Sequence, residues 1–425
     1  MNRVAGAESA RVVVLGGGGG IGSIAARTLA RTDDATEVVV ADLSLDAAQA
    51  TVDAAADDRF RAATVDVDDR AGLGALLDGA ALVVNCVGPF YRFGAPILTA
   101  AIEAGVDYVD VCDDLDATRA QLDLHDRAQA AGVRALIGMG NSPGLANVFV
   151  GLCAELFLDE VTSAEIMHIH GGEADEGPAV LKHRIHAMTS DVPLFVDGAF
   201  VEVRQLEESG AAHVRHVDFH GVGTYPVYPY PHPETITLPT VFPSLRRATN
   251  LGVVFPLSYF GMTQDLVGAG MAAEEPVEVP TPDGPVRVTP IDTMVAVLRA
   301  ERPRLLAEAG VTGPAGCLKV VVGGTKDGEE HTYECSLFSE TEGAGEGTGI
   351  PAGLGAILAL RGELRGGPGV HPPEAVVPVT PLLDLAADVV AGGGLSTGDT
   401  LPLRLEHVGP DGSREEIPFS FGSGS

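Results

Sequence analysis

The sequence predicts an α/β fold, a doubly wound parallel sheet, followed by a larger α+β domain. Three observations carry this. Six apolar, strand-like runs alternate with helical patterns up to residue 140. A glycine-rich turn, GGGGGIGS, joins the first run to the first helix. After Gly140 the texture changes to strand-like runs rich in His, then a Pro/Tyr-rich segment, YPVYPYPHPE (225–234). A chain of 425 residues exceeds one ordinary core, so two domains are expected, 8–142 and 143–421, with part of 350–421 packing back on the first.

Taken in order, RVVVLG (11–16) reads as a buried strand and IGSIAARTLA (21–30) as a helix with Ile21, Ile24, Ala25, Thr28 and Leu29 on one face. EVVVADL (37–43) is a second strand, and Ser44 suits the cap of the following helix. RAATVDV (61–67), AALVVNCVG (80–88), DYVDVCD (107–113) and VRALIGMG (133–140) complete a sheet of continuous apolar strands, the pattern of a parallel sheet covered on both faces. In the second domain SAEIMHIHGGE reads as a strand, GPAVLKHRIHAMTSD as a helix from Pro178, and 316–339 as strands. GAGEGTGIPAGLGAILAL opens a helix with Pro351 in its first turn, and 369–381 reads as extended.

Composition narrows the function. Lys+Arg is 27 against Asp+Glu 59, a net charge of -32, so nucleic acid and anionic membrane surfaces are not expected partners. No run of about 18 apolar residues predicts a membrane span, and the N-terminal apolar run is too short for a secretory leader. The five cysteines form no CxxC pair, which argues against a disulfide framework or zinc ribbon and for the cytoplasm.

Gly17-x-Gly19-x-x-Gly22 follows a strand and opens a helix, as the dinucleotide (Rossmann) fingerprint requires. The loop Gly17, Gly19, Gly20, Ile21 and Gly22 should bring backbone N–H groups and a helix N-terminus to the pyrophosphate. Asp42, 20 residues after Gly22, ends the second strand where a carboxylate accepts the ribose 2′-hydroxyl, so NAD is the expected cofactor and NADP the second one admitted. Asp66 and Val67, ending the third strand, suit an adenine contact, with a loop cap as the equal reading for Asp66. Ligands lie beyond the carboxyl ends of the strands. This gathers Asn85, Val87, Gly88 and Pro89, Cys112 to Asp114, and Gly140 to Pro143 around one crevice. Gly140-x-Ser142-x-Gly144 has the spacing of a hydrolase nucleophile elbow, but the residue after the serine is Pro143, which lacks the N–H an oxyanion hole needs.

Five motifs in order then resemble the saccharopine dehydrogenase-like oxidoreductases, which include saccharopine reductases, carboxynorspermidine dehydrogenases and lysine 6-dehydrogenases. They are VVVLGGGGGIGS, VVNCVGPFYRFG, AAIEAGVDYVDVCDD, NSPGLANVF and GTGIPAGLGAILALRGELRGGPGVHPPEAV. The resemblance covers most of the chain. It implies a Rossmann domain, a substrate domain that often carries a dimer contact, and nicotinamide-dependent chemistry at a carbon–nitrogen bond. It also makes Pro143 and Gly144 the crossover between domains, with Asn141 and Asn147 on the nicotinamide side. Two other readings stay open, a C=C (enoyl) reductase and a non-catalytic nicotinamide-binding protein.

Imine reduction or amine oxidation needs a group that carries a proton to or from nitrogen. Asp113 is the first candidate; Asp114 caps the next helix instead. Tyr91, in GPFYRFG, serves as a proton relay or as packing. His168 and His170 share one face if their run is a strand, and His170 is the second acid/base candidate. On the helix from Pro178, Lys182 or Arg184 suits a substrate carboxylate, with His183 beside them. Tyr228, Tyr230 and His232 read as a surface loop, with a binding role as the second reading. The histidine spacing fits no zinc motif, so no metal is expected. The expected partners are a small amine or amino-acid substrate and a second copy of the chain.

Overall fold

The computed structural model of the protein describes residues 10–339, 344–391 and 403–418. They fall into two compact units, 10–152 with 344–391 and 153–339 with 403–417.

In the first unit, β1 (Arg11–Leu15), β2 (Glu37–Asp42), β3 (Phe60–Thr64), β4 (Leu82–Asn85), β5 (Asp107–Asp110) and β6 (Arg134–Leu136) form one parallel sheet with a late strand, Gly369–His371. The order is Gly369–His371, β6, β5, β4, β1, β2, β3, so strand order reverses between β1 and β4, and the fold is a Rossmann one. Val12, Val13, Val14, Val38, Val40, Val83 and Val84 are fully buried, which is why these strands read as unbroken apolar runs. Ser44 caps the helix Leu45–Ala55 by accepting from Ala47 N.

The chain leaves this unit and returns as the helix Ala344–Arg361, which begins seven residues before Pro351 and not at it. The reason is close packing on α1 (Gly20–Leu29). A Cβ on Gly349 would meet Ile21 O and Ile24 Cβ, each at 2.7 Å, and one on Gly353 would meet Thr28 Cβ at 2.5 Å. Glycines that look like loop residues are there because only a bare backbone fits against α1. Arg361 adds an ion pair to Asp34 at 3.0 Å. The stretch expected to be extended over 369–381 is only briefly so. Pro373 starts a short helix, Pro373–Val376, and Val379–Ala391 is a longer one. Proline is compatible with a first helical turn, where its missing N–H is no loss.

The second unit is built on a ten-stranded mixed sheet. At its centre β7 (Glu160–Gly171) runs parallel to Arg247–Phe255 and antiparallel to Ala315–Lys326. Met167 and Ile169 enter a core with Leu181, Tyr259, Phe260, Met294 and Leu298, while His168 and His170 occupy the alternate positions of the strand. The helix Pro178–Thr189 starts at its proline. Among the described residues, no helix is long and apolar enough to cross a membrane.

The glycine contact gives a first prediction. Gly349→Ala should destabilise the protein by about 1–3 kcal/mol through overpacking against α1. Gly74→Ala, a helical glycine with open space around its Cβ position, should be neutral or stabilising by up to about 1 kcal/mol. Denaturant midpoints of the two variants check this, and equal midpoints would count against the packing argument.

Candidate functional site

The glycine loop is shaped by what each glycine would strike. Gly16, one place before the fingerprint, takes φ +71 and makes the tight turn expected of Gly17. A Cβ on Gly17 would meet Val40 Cγ1 at 2.6 Å, and one on Gly22 would run into Gly16 O. Gly20 has nothing within 4 Å and is exposed, as Gly19 is. The loop is thus tight on its sheet side and open at the N-terminus of α1, where free N–H groups and the helix dipole suit a pyrophosphate. Asp42 Oδ2 accepts from Gly18 N at 3.0 Å and Oδ1 from Ser44 N at 3.1 Å, so the carboxylate is held at the loop. Exposed Asp66 accepts from Asp68 N, and Val67 packs on the sheet core.

Beyond β4, β5 and β6 the crevice rests on one buried carboxylate. Asp110 is 0% exposed. Its Oδ1 accepts from Cys112 N at 3.0 Å and Gly138 N at 2.7 Å. Its Oδ2 accepts from the Tyr108 hydroxyl at 2.8 Å and from Gln121 Nε2. Tyr108 in turn accepts from Asn85 Nδ2 at 2.9 Å, and Asn85 Oδ1 accepts from Val87 N at 3.0 Å. Burial raises the Asp110 carboxyl, against four hydrogen bonds that lower it. Asn85 is therefore a buried bracket for the loop Val87, Gly88, Pro89, which is itself half-buried. Cys112 is wholly buried; burial and Asp110 push its thiol well up, so it is a neutral packing group.

Asp113 is half-buried just past β5. Asp114 is buried; its Oδ2 accepts from Tyr91 N at 2.9 Å, which ties the two loops together. Asp114 stands at the N-cap position of Leu115–Leu122 but makes no side-chain cap bond to it. Asn141 is half-buried, and Asn147 is 0% exposed, accepting from Gly144 N and donating to Glu374.

The second unit holds two polar clusters. In one, Arg184 is not on a solvated helix face. It is 3% exposed and makes a two-point bond to Glu176 at 2.6 and 3.0 Å. Glu176 also accepts from Arg302 at 2.9 Å and from the Tyr259 hydroxyl at 2.9 Å. A guanidinium enters a core only with a carboxylate beside it, so the substrate-clamp reading of Arg184 gives way to an internal one. Burial raises the Glu176 carboxyl, but Arg184, Arg302 and His170 outweigh it and hold the group at about 2. His170 has a buried Nδ1 without a hydrogen-bond partner, and burial lowers its pKa. Lys182 is paired with Asp292 at 2.7 Å on the surface.

The other cluster lies where a surface loop was expected. Tyr230 is 7% exposed, His232 5% and Glu234 0%. Tyr230 N bonds to Asn250 O and His232 N to Tyr230 O, which draws the segment onto the central strand. His168 stacks on His232 with centroids 5.2 Å apart, Tyr230 meets both edge-on, and His183 tilts toward Tyr230 and His232. Half-buried Tyr228 packs on Phe260.

Residues 12–136 match the saccharopine dehydrogenase NADP binding domain family. The chain is 26% identical over 375 residues to carboxyaminopropylagmatine dehydrogenase of Synechocystis sp., covering 83% of this chain and 90% of that one. It is 24% identical over 409 residues to carboxynorspermidine synthase of Vibrio cholerae, 88% and 94%. Apo saccharopine dehydrogenase (L-Glu forming) from Saccharomyces cerevisiae shares the fold, with a TM-score of 0.62 at 17% identity over 89% of this chain and 97% of that one. Residues 12–136 thus carry the family's cofactor-binding domain, and most of the chain is similar to these dehydrogenases. Its first unit is an NAD(P)-binding domain.

The signal that was available for the missed cluster is Glu234, a lone acid inside a Pro/Tyr/His run. The buried ion pairs yield a second prediction. Glu176→Gln leaves Arg184 and Arg302 short of a counter-charge and should cost about 3–5 kcal/mol. Because the folded carboxyl is depressed, its stabilisation is present above the unfolded value near 4.5 and fades as pH falls toward about 2. Acid unfolding of the variant should lose that part of the pH dependence; an unchanged acid limb would rule Glu176 out as its source.

Proposed function

We infer that the chain is an NAD(P)-dependent oxidoreductase acting on a carbon–nitrogen bond, by imine reduction or amine oxidation, of an amino-acid or polyamine-like substrate. The observation that carries this is a complete dinucleotide loop in a chain that aligns over four fifths of its length with enzymes named for carboxylated amines. That breadth of similarity favours this chemistry over enoyl reduction and over cofactor binding without turnover.

When bound, the nicotinamide takes or gives a hydride at carbon. The chain's own residues do the rest. The N–H of Gly20 and the N-terminus of α1 receive the pyrophosphate. Asp42 receives the ribose hydroxyl. The loops Val87 to Pro89 and Cys112 to Asp114 are kept in place by Asn85, Tyr108 and Asp110. Asp113, Tyr91 and His170 are the sequence-derived proposals for proton transfer. Lys182 and His183 are proposed to help hold the substrate. A homodimer and a cytoplasmic location complete the proposal.

Asp42 makes the cofactor choice testable. The turn Asp42-Leu43-Ser44-Leu45-Asp46 holds no basic residue, so a 2′-phosphate would meet a carboxylate without compensation. NADH should bind at least about tenfold more tightly than NADPH, and Asp42→Ala should narrow the gap chiefly by weakening NADH. Fluorescence titration of each reduced cofactor measures this; preference for NADPH would sink the role given to Asp42. Absorbance of the reduced nicotinamide across a panel of amines and imine-forming pairs tests the chemistry, and binding without any turnover would remove it.

A further inference from the structure

Beyond β6 the chain makes a tight turn, Gly140 to Gly144, before the helix Leu145–Leu156. Gly140 N donates to Pro143 O at 3.0 Å, and Leu145 N to Gly140 O at 2.9 Å. Gly144 takes φ +119, and a Cβ there would run into the backbone of Gly140, so the turn admits no side chain at this point. The N–H of Gly144 donates to Asn147 Oδ1 at 2.9 Å. Asn147 is the third residue of the helix and reaches back to the residue before it, as the third residue of a capping box does. Its Nδ2 donates to Glu374 Oε2 at 2.7 Å, 227 positions away. The amide has one end that accepts and one that donates, and a carboxylate only accepts. Glu374 therefore decides which way the Asn147 amide faces, and its oxygen in turn holds Gly144.

Glu374 is brought to this place by the strand Gly369–His371. That strand pairs in parallel with β6, His371 opposite Leu136, and Ile137 N donates to His371 O at 3.0 Å. Both segments leave the sheet at its carboxyl edge, one into the turn and the other into the helix Pro373–Val376 that carries Glu374. A second brace comes from the helix Ala344–Arg361. A Cβ on Gly140 would lie 3.0 Å from Thr348 Cγ2, and one on Gly345 would lie 3.2 Å from Ile24 Cδ1 on α1. The returning segment 344–391 thus touches both the helix behind the pyrophosphate loop and the turn after β6. In a Rossmann sheet of this order the two halves of the dinucleotide lie on either side of the point where strand order reverses. Asp42 and the glycine loop stand on the adenosine side, with β1 to β3. The turn Gly140 to Gly144 stands on the nicotinamide side, with β4 to β6.

We propose that Glu374 is a positioning residue for the nicotinamide half of the cofactor. It acts through Asn147, whose amide fixes the turn that walls that half, and it leaves the adenosine half untouched. This rests on the nicotinamide-dependent oxidoreductase reading above. Without the carboxylate the amide is free to turn over, and its NH2 would then face the N–H of Gly144, donor against donor. The turn would give up its fixed place while the glycine loop and Asp42 kept theirs.

The test compares NADH with ADP-ribose on the full-length protein, by calorimetry. The two ligands share the adenosine, both phosphates and the second ribose, and ADP-ribose carries a hydroxyl where NADH carries the nicotinamide. The ratio of their dissociation constants therefore isolates the nicotinamide's share of binding. Glu374→Ala should weaken NADH about tenfold and change ADP-ribose by less than about twofold. Asn147→Ala should do the same, and the double variant should be no worse than either single one, since both break one chain of bonds. Glu374→Gln keeps an oxygen for Asn147 Nδ2 and should restore NADH to within about threefold of wild type. A variant that merely loosens the fold weakens both ligands alike, and that result overturns the proposal, as does an unchanged ratio. Should the variants not fold, amide hydrogen exchange of the wild-type protein decides. NADH should slow exchange over residues 140–147 beyond what ADP-ribose does, and equal protection by the two ligands overturns the assignment. A wild-type protein that binds NADH no more tightly than ADP-ribose overturns the reading and the proposal together. A wild-type preference for NADH that survives in Glu374→Ala overturns only the proposal.

Discussion

The cofactor unit depends on the hydrogen bonds made by one charge buried at the ends of its strands. Parallel strands end in loops, and loops at a crevice have few apolar contacts to keep them still. Asp110 answers this by accepting from the backbone after β5 and from Gly138 after β6. Through Tyr108 and Asn85 the same carboxylate steadies the turn after β4. Three loops are then referred to one point, and none can shift without stripping a donor from an ion that has no water to replace it. The arrangement is costly, because the carboxylate is desolvated, and it persists because four donors meet it.

The second unit solves the same difficulty with opposite charges. Its interior holds Glu176, Arg184 and Arg302, and each guanidinium bonds to the same carboxylate. The net charge of -32 says nothing about this; the excess of acid is spread through the chain, while the buried groups are matched locally.

Much of the first unit was legible in the sequence because its signals are local. A strand, a glycine turn and a helix in succession define a βαβ unit, and an apolar run with no polar alternation already says that both faces are covered. What was not legible depended on distant partners. Asn85 looks like a crevice residue by position, yet its amide is turned inward by Tyr108, 23 residues later. Arg184 looks like a substrate-facing helix residue until Glu176 and Tyr259 are folded around it. Tyr230, His232 and Glu234 sit in a proline-rich run whose composition imitates a surface loop; their burial comes from a backbone bond to Asn250 on the central strand. Gly349 imitates a linker for the same reason, because the helix that requires it lies more than 300 positions earlier.

That last separation has a consequence for how the protein is made. The face of α1 that bears Ile24 and Thr28 is completed only by the helix Ala344–Arg361. A ribosome adding about 5–20 residues per second needs roughly 10 to 40 seconds to make the chain between residues 152 and 344. During that interval the nascent cofactor domain exposes a strip of apolar surface shaped for a glycine-lined helix that does not yet exist. A fragment ending at the first crossover would keep that strip bare for good.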